Sequence, residues 1–129
     1  MVEEKKQTAL IIEDNEDNMV LISTFLENAG YLFFWAQNGE QGVSMVAENR
    51  PDFVILDIQL PDILGNEVLN RIRALDSSIS NVPVIAMTSY AMSGDREKLL
   101  AAGCDGYIEK PIDPMRVISQ IKEILLETS

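Results

Sequence analysis

Short apolar runs alternate along the chain with longer stretches in which apolar residues recur every three or four positions. The runs Thr8–Ile12, Tyr31–Trp35, Phe53–Asp57, Val82–Met87 and Gly106–Glu109 read as five strands. Three of them hold unbroken apolar cores: Ala9-Leu10-Ile11-Ile12, Phe53-Val54-Ile55-Leu56 and Val84-Ile85-Ala86-Met87. A strand with one wet face alternates, whereas a strand covered on both faces does not. The pattern therefore predicts a parallel sheet between helical layers.

The intervening segments carry helical period and punctuation. Asn18–Asn28 places Val20, Leu21, Phe25 and Leu26 on helical spacing and stops at Gly30. Asn38-Gly39-Glu40-Gln41 resembles a capping box opening a second helix. A third is expected over about Asn66–Leu75, with Val68, Leu69 and Ile72 inward, and a fourth over about Ser93–Ala102, ending at Gly103. In the fifth, Asp113 is placed to cap and Pro114 takes the first helical position ahead of Val117, Ile118, Ile121, Ile124 and Leu125. Fivefold β–α alternation predicts one doubly wound α/β sandwich over residues 1–129, with no linker, repeat or second domain.

Composition narrows the chemistry. A net charge of −11 disfavours nucleic acid and anionic membrane, which need a basic patch; it is compatible with a cation ligand or a basic protein partner, or serves only to keep the protein soluble. The single cysteine, Cys104, forbids a disulfide within the chain. The amino terminus lacks a signal-peptide core and no apolar run is long enough to span a bilayer, so a soluble cytoplasmic protein is expected. Histidine is absent, which removes Ser-His-Asp catalysis, imidazole acid–base chemistry and most zinc sites.

In open α/β sheets ligands bind beyond the carboxyl ends of the strands. The first strand ends in Glu13-Asp14, the third in Asp57, the fourth in Thr88-Ser89 and the fifth in Lys110-Pro111. If the first and third strands are adjacent, as in the order 2-1-3-4-5, three carboxylates would share a pocket with one ammonium. A divalent cation cancels the remaining charge, and all-oxygen ligation suits magnesium. Glu16 and Asp17 have a plainer role in the first turn of a helix, facing its positive dipole end, and Asn15 is a cap.

With these residues in place, the chain resembles the receiver domain of response regulators, the CheY-like phosphoacceptor module of two-component signalling. The motifs are Ile11-Ile12-Glu13-Asp14-Asn15, Leu56-Asp57-Ile58-Gln59-Leu60-Pro61 with Gly65, Met87-Thr88-Ser89-Tyr90-Ala91, Ala102-Gly103-Cys104-Asp105-Gly106 and Gly106-Tyr107-Ile108-Glu109-Lys110-Pro111. Each alone is weak; five in order are specific, and they cover nearly the whole chain. The resemblance implies a flavodoxin-like (βα)5 fold with strand order 2-1-3-4-5. It implies Asp57 as phosphoacceptor, with Glu13 (through water), Asp14, Asp57 and the Gln59 backbone carbonyl organising Mg²⁺ or Mn²⁺. Lys110 and Thr88 would contact phosphoryl oxygens, Tyr107 would be a rotameric switch beside Thr88, and Lys110-Pro111 would be cis. Phosphorylation would switch the surface formed by helix four, strand five and helix five.

The implied partners are a sensor histidine kinase or histidine phosphotransfer protein, since this chain has no histidine of its own, and a downstream target. The domain would be a monomer or a phosphorylation-dependent dimer, and a signalling module rather than an enzyme, although the resemblance implies that it could catalyse its own phosphorylation and dephosphorylation. No output domain follows the fifth helix, which fits a stand-alone regulator or a receiver excised from a hybrid kinase. Gln59 and Tyr90 occupy kinetics-tuning positions; a bulky Tyr90 either shields the acyl phosphate, which predicts slow self-dephosphorylation, or points at solvent or a partner. Gly94 would loosen the start of the fourth helix, or be only a loop residue just before it.

Three rivals remain at this level. An aspartate-nucleophile phosphatase needs a second acid where Gln59 stands, and a cap domain. A flavodoxin-like mononucleotide binder needs a phosphate cradle where Glu13-Asp14-Asn15-Glu16-Asp17 would repel one. A non-phosphorylated scaffold receiver would lack part of a phosphorylation set that is complete here.

Overall fold

A computed structural model of the chain describes residues 6–89 and 93–128. Five strands, β1 (Thr8–Ile12), β2 (Leu32–Ala36), β3 (Phe53–Asp57), β4 (Val84–Thr88) and β5 (Gly106–Glu109), alternate with five helices. These are α1 (Glu16–Asn28), α2 (Gly39–Asn49), α3 (Gly65–Arg73), α4 (Ser93–Ala101) and α5 (Val117–Thr128). The sheet is parallel throughout, in the order β2-β1-β3-β4-β5.

The unbroken apolar strands are explained by two cores on opposite faces. Leu10, Ile12, Val54, Leu56, Val84 and Ala86 point towards Val46 of α2, Val68, Leu69 and Ile72 of α3 and Leu99 of α4. Their alternates Ala9, Ile11, Phe53, Ile55, Ile85 and Met87 meet Met19, Ile22 and Leu26 of α1 and Val117 and Ile121 of α5. Successive side chains leave a strand on opposite faces, so both sets must be apolar.

Most boundaries fall within a residue or two of expectation, and the shifts have local causes. Gly30 adopts φ 93°, the Gly30 N–H donates to the Glu27 carbonyl and the Tyr31 N–H to the Leu26 carbonyl. Tyr31 is thereby consumed in closing α1, and β2 starts one residue late. At β4, the Val82 N–H turns back to the Ile79 carbonyl and Pro83 has no N–H to offer, so pairing begins at Val84. Asp113 Oδ1 accepts from Met115 N–H at 2.9 Å, but residues 114–116 form a turn, so this bond caps the turn and α5 opens only at Val117. The capping box of α2 is offset by one: Asn38 Oδ1 accepts from Gln41 N–H, while Gln41 Oε1 accepts from Gln37 N–H. Gly94 lies in the first turn of α4.

Two long-range ties were not expected. Arg73, the last residue of α3, donates to the carbonyls of Gly103, Ser80 and Val82 at 2.6–2.8 Å and pairs with Asp105 Oδ2 at 3.0 Å. One guanidinium thus fastens the end of α4 to the segment entering β4. Asp62, in the loop after β3, spans both free N–H groups at the start of α2, with Oδ1 to Gly39 at 2.8 Å and Oδ2 to Glu40 at 2.9 Å.

Candidate functional site

Register brings the site together. Ile12 pairs with Leu56, Asp57 with Met87, and Thr88 with Glu109. Glu13, Asp57, Thr88 and Lys110 therefore emerge side by side at the carboxyl edge of four adjacent strands, about 4.8 Å apart per strand. The ladder persists to the rim: Ile58 N–H donates to the Met87 carbonyl and Lys110 N–H to the Thr88 carbonyl at 2.8 Å.

Glu13, Asp57 and Thr88 are buried, while Asp14 is exposed. One carboxylate oxygen from each of Glu13, Asp14 and Asp57 lies within 4.8 Å of the others. Lys110 Nζ sits between the two buried acids, 3.2 Å from Asp57 Oδ1 and 3.6 Å from Glu13 Oε2. Asp57 Oδ1 also accepts from Gln59 N–H at 3.1 Å, and Glu13 Oε1 from Asn15 N–H at 3.2 Å and Asn18 Nδ2 at 3.5 Å. Burial raises the Glu13 pKa above the ordinary glutamate value and the Asp57 carboxylate raises it further, while Lys110 and the Asn15 N–H pull it down. The rise is the net result of a negative excess in a water-poor corner.

Every expected site residue among those described falls at this edge or beside it. Gln59 and Thr88 line a cavity of about 580 Å³ that also touches Asp14, Leu64 and Lys98. Tyr107 stands half-buried on β5, two strands from β3, and lines a separate groove with Pro111 and Arg116. The Lys110-Pro111 peptide is cis, as expected. Tyr90 lies outside the described residues. Asn15 caps α1 by accepting from Asn18 N–H at 3.0 Å, and Glu16 and Asp17 occupy the first turn, as their positions predict.

Three supporting residues escaped the sequence. Asn18 reaches Glu13 from within α1, Trp35 donates from β2 to the Glu13 carbonyl at 2.7 Å, and Asp62 ties the loop holding Gln59 to α2. No sequence pattern flags the first two. Asp62 after Pro61 carries only the signature of a turn.

What the arrangement offers is a buried carboxylate at a strand end, an ammonium against it, and two further acids crowding the same corner. A cation is the natural counterion for such an excess.

Comparison with known proteins agrees with this layout. Residues 9–122 match the family model of the response regulator receiver domain. The polar-differentiation response regulator DivK of Brucella anthropi is 40% identical over 119 residues, covering 92% of this chain and 96% of its own. Among solved structures, the receiver domain of sensor histidine kinase PA1611 from Pseudomonas aeruginosa, which has a magnesium ion coordinated in its active-site cleft, superposes with a TM-score of 0.84 at 31% identity. It covers 94% of this chain and 98% of that one. A CheY-like response regulator receiver domain protein from Methanospirillum hungatei gives 0.86 at 28% identity, covering 96% and 97%. The strand order, the acidic corner and these matches agree, and the chain belongs to the response regulator receiver family of two-component signalling.

Proposed function

We propose that Asp57 accepts a phosphoryl group from a phosphohistidine on a sensor kinase or phosphotransfer protein, with Mg²⁺ (or Mn²⁺) held at the acidic corner. The observation that carries this reading is the buried Asp57 carboxylate with Lys110 Nζ at 3.2 Å and two further acids within 4.8 Å. The donor set fits the ion. It is all oxygen, Asp14 opens to solvent, and carboxylates on opposite sides of Mg²⁺ stand about 4.2 Å apart. A spread of up to 4.8 Å leaves room for Glu13 to act through water. When bound, Mg²⁺ supplies positive charge against the donor phosphoryl oxygens.

The protein's own groups supply the rest. An Asp57 carboxylate oxygen attacks phosphorus, the P–N bond to the donor imidazole breaks with its electron pair leaving on nitrogen, and an aspartyl phosphate forms. Lys110 stands ready to pair with a phosphoryl oxygen, offsetting charge that two anions would otherwise oppose. Thr88, one strand over and buried, contributes its hydroxyl to another oxygen and follows the added charge. Tyr107, on the neighbouring strand, exchanges rotamers with it, so that the face formed by α4, β5 and α5 changes for a downstream partner. Gln59 and Tyr90 set the lifetime of the acyl phosphate.

The test is incubation of the full chain with a small acyl-phosphate donor and Mg²⁺, read by intact mass. One added phosphoryl group that disappears in Asp57→Asn is expected. No gain, or a gain that survives Asp57→Asn, defeats the assignment, and rapid multiple-turnover phosphate release assigns phosphatase chemistry instead.

A further inference from the structure

The cation-holding acids differ in how they are held. Glu13 is fixed through its side chain by Asn15, Asn18 and Lys110. Asp14 makes no side-chain hydrogen bond or ion pair among the described residues and is exposed. The direction of its carboxylate is therefore set by its backbone, beginning with the peptide that joins it to Glu13. That peptide lies just past the end of β1. Its approach is fixed on the N–H side, where Glu13 donates to the Ala36 carbonyl at 3.0 Å. On the carbonyl side the donor is an indole: Trp35 Nε1 to Glu13 O, 2.7 Å.

The indole is well placed to hold it. Trp35 pairs with Ile11 in register and packs, partly buried, against the core beneath α1 and α5. A large ring wedged in a core gives its N–H one direction. A carbonyl that accepts a short bond from such a ring cannot rotate its peptide plane without breaking the bond. We infer that Trp35 is a positioning residue for the cation site: its indole N–H locks the Glu13–Asp14 peptide and so aims Asp14 at Asp57. The inference rests on reading the acidic corner as a Mg²⁺ site. It has a built-in reporter, because Trp35 is the only tryptophan in the chain.

Trp35→Phe keeps an aromatic ring in the core and removes the N–H. In the full chain, Mg²⁺ titrated by calorimetry is expected to bind about tenfold more weakly in the variant, the lower range for loss of a group that orients a metal ligand. The rate of phosphorylation from an acyl-phosphate donor at saturating Mg²⁺ should stay within about twofold, since Asp57 and Lys110 are untouched. A merely structural tryptophan would leave the Mg²⁺ affinity unchanged, and that result overturns the inference. In the parent protein, Trp35 emission should change saturably with Mg²⁺ at the calorimetric midpoint and cease to do so in Asp14→Asn. Should Trp35→Phe fail to fold, this second measurement decides, and a flat emission through the binding transition refutes the coupling. A parent protein that binds no Mg²⁺ by calorimetry brings down the cation-site reading itself, and the inference with it.

Discussion

Replacing Lys110 with methionine should turn the phosphorylation corner into the weakest point of the fold. Its ammonium lies 3.2 Å from Asp57 and 3.6 Å from Glu13, and both acids are buried. At an effective dielectric of about 20, each contact is worth roughly 5 kcal/mol, while the two acids, no more than 4.8 Å apart, repel by at least about 3.5 kcal/mol. Lys110 keeps about 20% of its side-chain surface in water. The variant also escapes part of the loss by taking up a proton, so the net cost should be about 3 kcal/mol at neutral pH, the low end for breaking a buried pair. The assay is urea denaturation without metal, followed by far-UV circular dichroism. A loss of about 3 kcal/mol moves the midpoint down by about 1.5–2 M for a slope near 1.5–2 kcal/mol/M.

The pH dependence has a defined sign. The folded protein holds a proton on Glu13 more tightly than the unfolded chain does, because its pKa is raised above 4.5. Its contribution to stability is therefore greatest below that value and falls as pH rises through the window above it. Lys110 is one of the groups that pulls the Glu13 pKa down, so its removal extends the fall towards neutrality. The gap between parent and Lys110→Met should be small near pH 4 and wide near pH 7.5. Adding Glu13→Gln should recover most of it, as should millimolar Mg²⁺. A gap below about 1 kcal/mol at pH 7.5, or one of equal size at both pH values, would refute the charge argument.

Three further outcomes are expected. Mg²⁺ at ten times its dissociation constant should stabilise the parent by about 1.4 kcal/mol, visible as a higher melting temperature, and an unchanged melt would count against the site. Arg73→Met should cost about 3 kcal/mol in urea denaturation, since it takes the guanidinium donor from the Gly103, Ser80 and Val82 carbonyls and leaves the Asp105 carboxylate without its cation, held only by the Val84 N–H; a loss under 1 kcal/mol would contradict that. For Asp62, desolvation pushes the pKa up, but the N–H groups of Glu40, Gly39 and Ile63 together outweigh it and leave the carboxyl below 3.8. Its capping contribution is thus present above 3.8 and lost as pH falls through the lower folded value. Asp62→Ala should cost roughly 0.5–1 kcal/mol at pH 7, and the two proteins should converge in stability in strong acid; a constant difference would exclude the cap.

How much of this could be read from the chain follows from the range of the forces involved. The apolar runs of β1 and β3 matched their strands end to end, because burial on both faces writes itself into consecutive residues; β5, only partly buried, matched as well. Glu13, Asp14, Asp57, Thr88 and Lys110 were legible because a parallel sheet delivers all its strand ends to one edge. β2 and β4 were displaced where a neighbouring group claimed a backbone atom, Leu26 taking the Tyr31 N–H and Ile79 the Val82 N–H. Trp35, Asp62 and Arg73 were invisible for a related reason. Each binds backbone atoms from 7 to 30 residues away, and a peptide carbonyl or N–H has no letter in the sequence.

The grip of Arg73 on Gly103 has a mechanical consequence. It would make α4 a lever with its fulcrum at the carboxyl end. The nine residues of α4 span about 13 Å, so a pivot of about 10° at Gly103 sweeps the other end through about 2 Å. Events at the phosphorylation edge would then reach the outer surface as an arc whose amplitude grows with distance from Gly103. A binding partner that reads the first turn of α4 would meet the largest stroke, and one that reads its last turn would meet almost none.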